Sequence, residues 1–271
     1  MCKELAEFAK RIAIEAGELV KPYFRHPNLN FIRKDDNSPV TKADQEVEAF
    51  LRDKITATYP QHGIVGEEYG LHNPDASIQW VIDPIDGTKA FIAGAPVFGT
   101  LIGIYEDGLA KIGIINQPIT GECWLGISGH ETSLNGTSLN GKPVRTQQVK
   151  TNLNDAILTI SALDYFETHD EQQRFHDLED SVYFTRFGLD CYAAGLLANG
   201  HVDLMVETGL KLYDFAALIP IIEGAGGIAS DWNGNVLDFH CLSRQNPKGQ
   251  ILLSANRSLH DLALEKLKLS I

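Results

Sequence analysis

Two aspartates stand three positions apart in "IDPIDGT", residues 82–88, with Pro84 and Ile85 between them and Gly87-Thr88 behind. Carboxylates a few ångströms apart repel, so such a pair needs a cation, a shared proton or abundant water. A solvated turn, with Pro and Gly setting the backbone and Asp capping it, would meet that need with water alone. Two other acidic positions are comparable: Glu67 and Glu68 in "VGEEYG", and Asp214 at the start of the apolar stretch "YDFAALIPIIEGAGG". Taken singly, the glutamates fit a solvated loop and Asp214 a helix N-cap. Brought together, these groups would form an oxygen-rich site of four or more carboxylates, suited to Mg²⁺ rather than to a soft metal. No His or Cys cluster at ligand spacing competes for that role. Gly87 and Thr88, in a turn leading into a short helix, would add backbone N–H groups for a phosphate-sized anion at the same place. Magnesium beside them can clamp a phosphoryl group and supply the attacking water.

Such a site needs elements to hold it. Leu5, Phe8, Ile12 and Leu19 recur at helical spacing, and a second helix is expected from Thr41, with Val47, Phe50, Leu51 and Ile55 as its buried stripe. "GIVGEEYG" reads as a short apolar strand running into an acidic loop. Strands follow at Ile78–Ile82 and Thr100–Tyr105, with two more in "YEDGLAKIGIINQPITGECWLGI". Their closely spaced turns predict an antiparallel sheet. After about Lys150 strands alternate with helices. Strands are expected at Ala156–Ile160, Val182–Arg186, His201–Glu207, Gly227–Asp231 and Gln250–Ser254. Helices are expected at Asp170–Leu178, Asp190–Asn199, Tyr213–Gly224 and after Ser258. The pattern is α/β, with an α+β N-terminal half over 1–148 carrying most of the candidate metal ligands and an α/β half over 149–271 carrying Asp214.

Composition narrows the partners. The chain of 271 residues is ordinary globular material, 44% hydrophobic and 22% charged, with a formal net charge of −13. That charge argues against nucleic acid or an anionic membrane as the main partner. An anionic substrate stays open, because a bound cation inverts the local sign. Cysteines at 2, 123, 191 and 241 show no C-x-x-C spacing, which fits reduced thiols rather than a disulfide scaffold or a zinc site. Charges from Lys3 to Glu18 interrupt any signal-peptide core, and no apolar run approaches the roughly 18 residues of a membrane span. The expectation is a soluble, cytoplasmic protein.

"VGEEYG", "WVIDPIDGTKAF" and "YDFAALIPIIEGAGG", in that order and at those separations, resemble the lithium-sensitive, Mg²⁺-dependent inositol monophosphatase-like phosphatases over nearly the whole chain. The resemblance implies a layered α-β-α-β-α sandwich and, as a rule, a homodimer. It implies that Glu67, Asp83, Asp86, Asp214 and the Ile85 carbonyl hold two or three Mg²⁺ ions, with Mn²⁺ able to substitute. Thr88 would orient the nucleophilic water, Asp44 would hold its hydroxyl, Glu68 would assist, and the Gly87 and Thr88 amides would receive the phosphate. The reaction implied is direct attack of a metal-activated water, without a phosphoenzyme. Tyr213 departs from the Trp of many relatives but keeps an aromatic. The rival aspartate-nucleophile turn, D-x-D-x-T, fails because two residues rather than one separate Asp83 from Asp86.

"GLDCYAAGLLANGHVDLMVETGLKLYDF", "DGTKAFIAGAPVFGTLIGI" and "IEGAGGIASDWNG" are similar to the histidinol-phosphate phosphatase branch. By the same resemblance Glu207, seven residues before Asp214, reaches the organic part of the substrate, and Asp190 occupies the matching region. Two carboxylates there would suit a cationic amine better than a polyol; the plainer alternatives are a helix N-cap and a strand-end charge. Other readings are an inositol-1-monophosphatase, a 3′,5′-bisphosphate nucleotidase, for which only Lys89, Lys211 and Arg186 offer extra positive charge, and a non-catalytic partner-binding protein of the same fold.

Overall fold

The computed structural model describes residues 2–33, 39–135 and 141–268. Helices Cys2–Val20 and Lys42–Thr58 pack side by side on one face of a large sheet. Its eight strands lie in the spatial order Lys142–Pro143, Ser133–Leu134, Glu122–Ile127, Leu109–Gln117, Gly99–Glu106, Ile78–Asp86, Gly63–Gly66 and Gly70–His72. Alternating side chains serve opposite faces. Trp80, Ile82, Ile102 and Ile104 join the core beneath the two helices, while Val81, Leu101 and Tyr105 point into a central core. The expected hairpins are antiparallel, yet Gly63–Gly66 runs parallel to Ile78–Asp86, so the sheet is mixed. The chain makes the antiparallel edge strand Gly70–His72 in between, and so returns in its original direction.

A second, mixed sheet orders Phe184–Phe187, Ile157–Ile160, Leu204–Glu207, Ile251–Ser254 and Ile228–Ser230. Between the sheets lie helices Tyr192–Ala198, Leu212–Phe215 and Leu218–Gly224. His169–Glu179 and Arg257–Leu267 pack together on the outer face. The layers run helix, sheet, helix, sheet, helix, as the resemblance implied. Cys123, Cys191 and Cys241 are free and buried; the Cys2 side chain lies outside the described residues.

Gly103, Gly113 and Gly126 are neighbours across three strands of the large sheet. A Cβ on Gly113 would stand 1.9 Å from the Ala217 carbonyl oxygen, and one on Gly126 2.4 Å from the Ile221 nitrogen. This bare stripe lets the segment behind Asp214 lie directly on the sheet, beside strand Ile78–Asp86. The segment is not the single helix expected over Tyr213–Gly224: it breaks at Ala216-Ala217. Pro220 has no N–H for the Ala216 carbonyl, and its ring crowds that group.

Candidate active site

In a regular strand Asp83 and Asp86 would face opposite sides of the sheet. The ladder of strand Ile78–Asp86 shifts register between them, so both turn toward the same cleft. The Ile85 N–H donates to Asp83 Oδ1 at 3.0 Å and the Thr100 hydroxyl to the Pro84 carbonyl at 2.9 Å, which fixes the bulge. Asp214 comes from the central layer, with Oδ2 accepting the Lys211 N–H at 2.6 Å. One oxygen from each of Asp83, Asp86 and Asp214 lies within 4.8 Å of the others. Glu67, just beyond strand Gly63–Gly66, lines the same cleft of about 190 Å³, as does Ile85.

These carboxyls raise one another's pKa. Asp83 is pushed well above the usual carboxylate range by burial, then by Glu67, Asp86 and Asp214. Asp214 moves the same way through burial and Asp86. Asp86 rises to about 7 through burial and Asp190, although the Cys191 N–H donates to its Oδ2 at 2.8 Å. An all-oxygen donor set whose members repel one another fits a hard divalent cation. The cluster could hold one.

Beside the cluster, Thr88 donates its hydroxyl to Ile85 O at 3.1 Å and, more distantly, to Asp44 Oδ1 at 3.4 Å. Asp44 is fully buried in the first turn of helix Lys42–Thr58. Its Oδ2 accepts the Thr41 N–H at 2.8 Å and the Thr41 hydroxyl at 2.5 Å, in a capping box. Burial raises Asp44 to about 6, against those hydrogen bonds and with help from the charge of Glu68. Gly87 precedes helix Thr88–Ala93 at φ 81°, and its missing side chain leaves room for Asp190: a Cβ there would sit 3.0 Å from Asp190 Cβ.

Glu68 is not among the cleft-lining residues. Its N–H donates to Glu48 Oε2 at 2.6 Å, and the Tyr69 N–H donates to Glu48 Oε1 at 3.0 Å. Glu48 is fully buried and also accepts from Arg52 at 2.8 Å, so it anchors the turn that presents Glu67. The sequence-based site omits Glu48; its signal was a Glu beside the buried stripe with Arg four residues on.

At the other end of the cleft Asp190 is half-buried, at φ 46°. A non-glycine residue in this left-handed region is uncommon, though Asp tolerates it. It does not cap the following helix with its side chain. Burial raises its pKa to about 6, partly offset by Lys89. Glu207, by contrast, lies behind the wall, 1% exposed. Its Oε1 accepts the Ser161 N–H at 2.6 Å and hydroxyl at 2.8 Å, and Oε2 has no partner among the described residues. Ser161 is the residue that reaches the cleft, with Tyr165 and Thr208 nearby. Nothing in the local sequence marks Ser161 or Tyr165. Of the three basic candidates, Lys89 and Lys211 line the cleft and Arg186 is not among its lining residues. The Lys89 ammonium sits 4.7 Å from the Tyr165 ring centre and 3.6 Å from Asp164.

No helix among the described residues is long and apolar enough to cross a membrane. The model of the inositol monophosphatase family matches residues 1–271. The bifunctional phosphatase IMPL2 of Arabidopsis thaliana is 39% identical over 98% of this chain and 76% of its own length. A histidinol-phosphatase of Chlorobaculum parvum is 32% identical over 92% of this chain and 95% of its own. A solved structure of an inositol monophosphatase from Zymomonas mobilis superposes with a TM-score of 0.84 at 40% identity, covering 98% of both chains. A whole-length family match, relatives of this identity and a carboxylate-lined cleft between the layers agree: the chain belongs to the inositol monophosphatase family and is a phosphatase.

Proposed function

We propose that this phosphatase hydrolyses phosphate monoesters with Mg²⁺ and prefers L-histidinol phosphate, giving L-histidinol and phosphate by direct attack of water. The observation that carries the proposal is Asp190, a half-buried carboxylate on the wall of the cleft that Asp83, Asp86 and Asp214 share. The likeness to the Chlorobaculum histidinol-phosphatase supports the same substrate. Residues 1–148 supply Glu67, Asp83, the Ile85 carbonyl and Asp86, and residues 149–271 supply Asp214 and the substrate end.

Held by these five groups, two or three Mg²⁺ ions would offset the phosphoryl charge and acidify water. Thr88 orients the attacking water through its hydroxyl, which the Ile85 carbonyl and Asp44 hold. Asp44, at a pKa of about 6, has the strength to accept a proton passed through that hydroxyl near neutral pH. The Gly87 and Thr88 amides receive phosphate oxygens. Asp190 accepts a hydrogen bond from the ammonium or imidazole of the leaving group, and Ser161, held by Glu207, lines the wall beside it.

A second reading, inositol monophosphatase, is favoured by the 40% identity to the Zymomonas protein. Phosphate release from histidinol phosphate, inositol 1-phosphate, adenosine 3′,5′-bisphosphate and p-nitrophenyl phosphate decides between them. The proposal expects the highest kcat/KM on histidinol phosphate. Faster turnover of inositol phosphate overturns the substrate, and undiminished turnover in excess EDTA overturns the metal chemistry.

A further inference from the structure

The face of the large sheet that carries the first two helices holds a second cleft, of about 290 Å³. Lys10 on helix Cys2–Val20 forms part of its wall, with Ile14, Asn116, Pro118, Cys123 and Asn135. Lys10 is 4% exposed, and its ammonium has no hydrogen-bond partner among the described residues. A buried charge without a partner is among the costliest arrangements in a folded chain, so what neutralises it matters.

The cleft's own residues do not neutralise it. Glu18 is the one carboxylate among the lining residues, and it is 62% exposed and paired with Lys21 at 2.5 Å. Asn135 Oδ1 is taken by the Cys123 N–H at 2.8 Å. The Cys123 thiol, pushed up to about 11 by burial, stays neutral. Asn116 gives one amide hydrogen to the Ala13 carbonyl at 2.9 Å and has a second to offer. The wall therefore holds an unanswered positive charge and a spare N–H donor, in a chain whose net charge is −13.

We infer that this cleft binds a small oxyanion, a phosphate or a carboxylate, with the Lys10 ammonium as its counter-charge and the Asn116 amide as a second donor. The occupant would tie the first helix to strands Leu109–Gln117 and Glu122–Ile127, so its binding is read as stability.

The test is thermal unfolding of the metal-free protein in EDTA, with sodium phosphate or sodium acetate replacing chloride at fixed ionic strength. Wild type should gain about 3 °C when one of these anions reaches ten times its Kd. Lys10→Met should fold and show no gain with either anion. An equal gain in Lys10→Met would place the binding elsewhere, the carboxylate cleft included, and overturn the inference; so would a wild type that responds to neither. Should Lys10→Met fail to fold, wild-type crystals soaked in selenate decide. An anomalous peak within hydrogen-bond distance of Lys10 Nζ supports the site, and a map without one overturns it.

Discussion

The two ends of the main cleft both hold carboxylates, but under opposite conditions. At the strand end, Asp83, Asp86 and Asp214 have oxygens within 4.8 Å of one another; burial raises all three, and Asp86 adds to the rise of both others. At the other end Asp190 has Lys89 to offset part of its rise, and Glu207 has two donors from Ser161. The first end needs protons or an added cation to offset its charges. The second has part of its charge answered by the chain itself, through Lys89 and the Ser161 donors. On the proposed chemistry any phosphate ester would use the first end, so discrimination between esters would come from the second.

The largest expected effect follows from breaking the first end. Asp83→Asn or Asp214→Asn should lower kcat by at least a hundred- to a thousandfold, the scale of losing one preorganised electrostatic group. Both variants should stay folded, because neutralising one of several repelling carboxyls relieves the metal-free protein. A near-wild-type rate in Asp83→Asn would remove the cluster from the chemistry.

Burial of Asp86, with the charges of Asp190 and Glu67 near it, sets a pH dependence. Asp86 in the folded, metal-free protein keeps its proton up to about pH 7, against 3.8 for an ordinary aspartate. Between those values the folded state binds more protons than the unfolded one, so stability falls as pH rises. Metal-free protein should therefore melt at a lower temperature at pH 7 than at pH 5. Saturating Mg²⁺ should restore the loss at pH 7 by mass action. A metal-free melting temperature that climbs from pH 5 to 7 would contradict the raised pKa of Asp86.

Thr88→Val tests the junction between the two ends. It removes the hydroxyl that lies 3.1 Å from Ile85 O but leaves the acidic cluster intact. The expected loss in kcat is about a hundredfold, the lower range for a positioned proton-transfer group. Mg²⁺-dependent stabilisation should be unchanged. If that stabilisation vanished too, Thr88 would be supporting the metal end rather than the water.

The sequence made the two ends unequally legible. Asp83 and Asp86 sit in one local motif whose residue types announce a turn, and the bulge that aligns them is a local event. Asp44, which tertiary packing brings to the Thr88 hydroxyl, was picked out by family resemblance alone; Asp214 was marked by the apolar stretch it opens, but only packing across the layers brings it to the cleft. Glu48 stayed hidden because a Glu next to Val47 on a helix resembles surface, although folding buries it completely. Ser161 had no signal at all: it matters because strand Leu204–Glu207 lies beside strand Ile157–Ile160, a pairing fixed by the whole second sheet. Layer order came with the family resemblance, whereas the break at Ala216 was written in Pro220 and overridden by the apolar periodicity around it.

The smallest effects separate Asp190 from Glu207. Asp190 lines the cleft, so a charge-assisted hydrogen bond to a cationic leaving group would contribute roughly 1.5–3 kcal/mol. Asp190→Asn should then lower kcat/KM on histidinol phosphate by about ten- to a hundredfold, with little change on p-nitrophenyl phosphate. Glu207 lies behind the wall, and burial pushes its carboxyl above the usual range, against the two Ser161 donors, which favours its neutral form. Glutamine copies a neutral glutamic acid in shape and keeps an oxygen for the Ser161 N–H and hydroxyl. Glu207→Gln should therefore cost less than about threefold on either substrate. Glu207→Ala, which leaves both Ser161 donors without their acceptor, should cost more, and on histidinol phosphate first. A loss in Glu207→Gln as large as that in Asp190→Asn, confined to histidinol phosphate, would mean that Glu207 meets the substrate as an anion and that the wall opens to admit it.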